Sequence, residues 1–89
     1  MMSPTMHFEI EATANAQTLS RLINFFAQRD LTPSLVRATH EGSSISVIIE
    51  QPDLELAHAI IIAEKMRASV LVEWVVLRPL PENAELGPS

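Results

Sequence analysis

The sequence predicts an α+β sandwich: one four-stranded antiparallel sheet of order 4-1-3-2, with both helices on one face. Three observations lead there. The hydrophobic period switches between two residues and about 3.6 residues in the order strand, helix, strand, strand, helix, strand. The middle pair of strands is joined by Glu41-Gly42-Ser43-Ser44, a hairpin turn signal. The chain has 89 residues, enough for a sheet with one cover of helices and too few for a barrel enzyme or a doubly wound nucleotide domain.

Met6 to Ala12 alternates strictly, with Phe8, Ile10 and Ala12 on one face and His7, Glu9 and Glu11 on the other. That is a half-buried strand. Asn15 offers an N-cap for the first helix, and Leu19, Leu22, Ile23 and Phe26 form its core stripe. Leu31-Thr32-Pro33 ends the helix. Ser34 to Glu41 reads as the second strand, with Arg37 placed to pair with Glu50 across the hairpin. Ile45, Val47 and Ile49 alternate with Ser46, Ile48 and Glu50 in the third. Pro52 or Asp53 suits the first turn of a second helix over about Asp53 to Arg67. This helix is apolar nearly all round, which implies two buried faces. Val70 to Leu77, broken only by Glu73, is the fourth strand. Two right-handed βαβ units in this order make a ferredoxin-like βαββαβ sandwich. The second sheet face is left to carry Ile48 with Leu71, Val75 and Leu77, or their alternates on the fourth strand.

Residues 6–77 are thus the expected domain, between a flexible N-terminus at 1–5 and a flexible Pro/Glu-containing tail at 78–89. The longest apolar run, Ala59 to Ala63, is far below a membrane span, and the N-terminus has no leader pattern. A cytoplasmic protein without membrane contact is expected.

Composition removes several chemistries. With no cysteine there is no disulfide, thiolate metal site or cysteine nucleophile. Glycine occurs only at Gly42 and Gly87, so no phosphate-binding glycine loop can be written. The net charge of -5 and the lack of aromatics on the third strand argue against nucleic-acid binding. His7, His40 and His58 fall on separate elements, and no metal site is expected. Glu9 and Glu11 share a strand face with His7, an arrangement that an outward polar face explains as well as acid–base chemistry does. No catalytic residue is assigned, and the chain is read as a non-enzyme without a cofactor of its own.

The segment Leu19-Ser20-Arg21-Leu22-Ile23-Asn24-Phe25-Phe26-Ala27-Gln28-Arg29-Asp30-Leu31 resembles the first helix of ACT domains. It is similar in particular to the small regulatory subunit of acetolactate synthase, where a Leu-Ser-Arg-Val start and a Phe-Ser-x-Arg-Gly end recur. The resemblance implies domains that pair side by side as a homodimer. It also implies a regulatory amino acid bound between protomers at the loop before the first helix. That role would fall to Asn15, Ala16, Gln17, Thr18 and Leu19, with Thr32 after the helix. The family's Pro-Gly or Ser-Gly reads Ala16-Gln17 here, and its two ligand-facing asparagines align with Ala14 and Thr32. Asn15 to Leu19 looks more like Asn-Pro-Glu-Thr-Leu of the valine-insensitive isozyme's small subunit.

The resemblance therefore implies a non-catalytic accessory or regulatory subunit in branched-chain amino acid biosynthesis. It would dock on a large catalytic subunit that holds the thiamine diphosphate, flavin and magnesium. The alternative is a free-standing sensor that binds a small amino acid, such as a branched-chain effector, at the dimer seam. Ile48, Leu54, Ala57, Ile61 and Ile62 are the candidate interface residues.

Overall fold

The computed structural model describes residues 4–81. The outermost parts of the two expected flexible ends, 1–3 and 82–89, lie outside them. The elements are β1 (Met6–Thr13), α1 (Thr18–Ala27), β2 (Leu35–Glu41), β3 (Ser44–Gln51), α2 (Leu56–Arg67) and β4 (Val72–Pro79). The sheet is antiparallel with order β2-β3-β1-β4, the expected 4-1-3-2 arrangement.

The core lies between the sheet and the helices. Phe8, Ile10 and Ala12 of β1, Val47 and Ile49 of β3 and Val75 of β4 meet Leu22 and Phe26 of α1 and Ala59, Ile62, Ala63 and Met66 of α2. Phe8 and Phe26 make an edge-to-face pair with ring centroids 5.2 Å apart. Each large side chain buried this way stabilises the fold by about 1.5–3 kcal/mol.

Several boundaries differ from the sequence reading, each for a local reason. Asn15 does not cap α1. Its Oδ1 accepts the Gln17 N–H at 2.8 Å, an Asx turn, and the helix begins at Thr18 with Gln17 in the cap position. α2 begins at Leu56, because the chain turns left-handed at Asp53 (φ 55). That turn swings Leu54 into the core, where it is 3% exposed and its N–H donates to the Pro4 carbonyl.

Leu54 is therefore a core residue and is removed from the interface candidates. So is Ile62, which is fully buried. It lies on the inward stripe Ala59, Ile62, Ala63 and Met66, spaced i, i+3, i+4 and i+7. The helix does not bury two faces as expected: Leu56 and Ile60 are 47% and 42% exposed. Ala57 and Ile61 do face outward, and Ile48 is half-buried on the open sheet face.

β4 starts later and ends later than expected. A bulge between Glu11 and Ala12 of β1 leaves Glu73 of β4 without a partner. Trp74, Val76 and Arg78 then face the open side while Val75 faces the core. Among the alternatives for the second face, it is these alternates that occupy it. The strand runs through Arg78 to Pro79, where an edge position tolerates the missing N–H. Leu80 N–H donates to the Thr5 carbonyl, so residues on either side of the expected boundaries are tied to the sheet.

Candidate functional site

Two features stand out on this scaffold: a cleft at the α1 end of β1, and a polar cluster on the open sheet face.

The cleft follows from how three segments are tied together. Ala14 N–H donates to the Ser43 carbonyl at 2.9 Å, joining the β1–α1 loop to the β2–β3 hairpin. Gly42 makes that hairpin turn with φ +61. The Thr18 hydroxyl donates to the Thr13 carbonyl at 2.7 Å and closes the loop. What remains is a cleft of about 310 Å³ lined by Ala14, Asn15, Ala16, His40 and Ile45. Its wall is methyl and aliphatic, with one amide and one imidazole. Such a lining suits a small ligand with an apolar part and one or two polar groups.

The structure brings together only part of the sequence-predicted site. Asn15 and Ala16 line the cleft. Gln17 does not, because its Oε1 accepts from Arg21 Nη2 at 2.9 Å. Thr18 is 1% exposed, with its hydroxyl taken by Thr13. Leu19 packs against the core. Thr32 lies beyond the far end of α1. His40 and Ile45 were missed as lining residues. They face each other across the hairpin, and sheet order places that hairpin beside the end of β1.

β2 is the least supported element. It is an edge strand, half-buried at Leu35 and exposed from Val36 to Glu41. Ser34 N–H donates to the Glu50 carbonyl. The Glu41–Ser44 pair closes the two-residue hairpin, so by strand alternation Leu35, Arg37, Thr39 and Glu41 bond inward to β3, and the N–H groups of Val36, Ala38 and His40 point out from the free edge.

On the open face, His7 is 7% exposed although no helix covers it. Its Nδ1 lies 2.8 Å from Glu50 Oε2 and its Nε2 3.1 Å from Glu9 Oε2. Arg78 Nη2 donates to Glu9 Oε2 at 3.4 Å. Glu50 thus pairs with His7 and not with the expected Arg37, because the hairpin register sets Arg37 opposite Ile48 and Leu35 opposite Glu50. The two carboxylates approach opposite ring nitrogens, so they and the ring do not converge on one point as metal ligands must. Among the described residues no group of His, Asp and Glu side chains is arranged to hold a metal, and no helix is long and apolar enough to cross a membrane.

A family model described as an ACT-like domain matches residues 2–84. Among solved structures, the chain is similar to the ACT domain from GTP pyrophosphokinase of Chlorobium tepidum. The TM-score is 0.72 and the identity 8%, over 83% of this chain and 96% of that one. The C-terminal domain of the MgtC protein from Mycobacterium tuberculosis has TM-score 0.70 at 13% identity, over 90% of each chain. The regulatory subunit of aspartate kinase from Thermus thermophilus, in its ligand-free form, has TM-score 0.64 at 14% identity, over 88% of this chain and 52% of that one. At such identities the likeness is one of fold. No curated protein matches the sequence.

Proposed function

This chain belongs to the ACT-like domain family, and on that footing we propose that it is a non-catalytic regulatory or accessory subunit, working in the cytoplasm as a homodimer. The observation that carries this is β2, an edge strand left uncovered on both faces beside the Asn15–His40 cleft. Pairing β2 with its copy continues the sheet across the dimer and brings the second protomer to the cleft. The role of one structural relative as a regulatory subunit of aspartate kinase supports the same reading.

The partner we propose is the large catalytic subunit of an acetolactate synthase, on the resemblance of Leu19 to Leu31. The outward apolar residues Ala57, Ile60 and Ile61 of α2 supply contact surface for it. Affinity purification of the tagged chain from its own host tests this. Recovery of a large thiamine-dependent chain supports it, and a subunit recovered alone argues against it.

A second reading, a free-standing sensor for a small amino acid, is favoured by the cleft itself. It predicts a rise in melting temperature with millimolar valine, leucine or isoleucine, since a ligand stabilises the state it binds. A flat response to all common amino acids would exclude it.

A further inference from the structure

We infer that the opposite end of the sandwich holds a second small-molecule site, a cleft bounded by Arg29, Leu31, Asp53, Leu54 and His58 that takes a small zwitterion with an aliphatic side chain. The cleft measures about 280 Å³. It lies where α1 ends and α2 begins. The 8 residues of β1 separate it from the Asn15 cleft, a span of about 25 Å.

The lining sets the ligand chemistry. Arg29 and Asp53 come from different loops and carry opposite charges into the same cleft. Among the described residues neither forms a salt bridge, with the other or with any third group. A molecule with a carboxylate and an ammonium group bridges such a pair: the carboxylate meets the guanidinium fork of Arg29 and the ammonium meets Asp53. Leu31 and Leu54 form an apolar floor for a short aliphatic chain, and His58 adds a ring nitrogen at the rim.

The backbone around the cleft is unusual. Asp53, which lines this cleft, takes the left-handed conformation (φ 55). Gln51 Oε1, two residues before Asp53, is buried without a hydrogen-bond partner among the described residues. Sparsely populated backbone and unsatisfied polar atoms gather where a ligand is clamped. The site is independent of the dimer and of the Asn15 cleft.

The test is an amide-resolved NMR titration with L-leucine as probe, beside isocaproate and isoamylamine, which each lack one of its charged groups. Leucine is expected to shift the amides of Leu31, Asp53, Leu54 and His58 with millimolar affinity. The two half-ligands should bind at least about tenfold more weakly. Arg29→Gln and Asp53→Asn, the latter keeping a side chain that tolerates left-handed backbone, should each weaken leucine by a similar factor. Asn15→Ala should leave these shifts unchanged. Shifts confined to Ala14–Ala16 and His40 would overturn this site while supporting the sensor reading. Equal binding of leucine and isocaproate, or no shift at the Asp53 end, would overturn it as well.

Discussion

His7 Nδ1 lies 2.8 Å from Glu50 Oε2 across the β1–β3 pair, while the other ring nitrogen faces Glu9. The cluster crosses the three strands β3, β1 and β4 on a face with no helix above it.

The His7–Glu50 pair is expected to show measurable coupling. A double-mutant cycle with His7→Ala and Glu50→Ala, read by urea unfolding, should give an interaction energy of about 1 kcal/mol. Strict additivity of the two single changes would mean that the contact contributes nothing to stability.

At the end of α1, Leu31 N–H bonds to the Phe26 carbonyl and Asp30 N–H to the Ala27 carbonyl. This is a Schellman motif with Asp30 in the left-handed position that glycine usually fills. Asp30→Gly should therefore raise stability by about 0.5 kcal/mol, and Asp30→Val lower it by about 1–2 kcal/mol. Denaturant midpoints would show the order, and a glycine variant less stable than the parent would contradict the assignment.

Neighbouring isoleucines on α2 should respond oppositely to charge. Ile61 is 42% exposed, so Ile61→Lys should change the monomer's stability by no more than about 0.5 kcal/mol. Ile62 is fully buried, and Ile62→Lys should cost more than about 4 kcal/mol and leave the chain unfolded. Circular dichroism melts of the two variants decide it, and equal losses would mean that the helix is rotated.

Dimerisation through β2 makes two linked forecasts. Ala38→Pro removes an outward N–H without breaking the β2–β3 ladder, and should leave a folded monomer by sedimentation. Trp74, the single tryptophan, sits 46% exposed on β4 at the far edge of the sheet. Its emission should not move as the parent dimer is diluted. A blue-shifted emission that reverts on dilution would place the contact on the open sheet face instead.

The strands and their order were readable because Phe8, Ile10 and Ala12 alternate cleanly and Gly42 marks the hairpin. The inward face of α2 was not readable. Leu56, Ile60 and Ile62 are equally apolar, and only the turn at Asp53 fixes which of them faces the sheet. Periodicity alone carries no information about such a rotation. For the cleft, Asn15 and Ala16 were legible from the α1 resemblance. His40 and Ile45 belong to a different part of the chain and reach the loop only through sheet order. Gln17 and Thr18 do not line the cleft because their side chains are claimed locally, by Arg21 and by the Thr13 carbonyl.

The one-sided attachment of β2 has a consequence for solvent exchange. In a lone protomer the amides of Val36, Ala38 and His40 meet water directly, while those of Leu35, Arg37 and Thr39 are held by β3. Deuterium should enter this strand at every second position. When a second copy closes the edge, the alternation disappears and the whole strand slows together. The strand thus carries its own record of whether the chain is alone, readable one residue at a time.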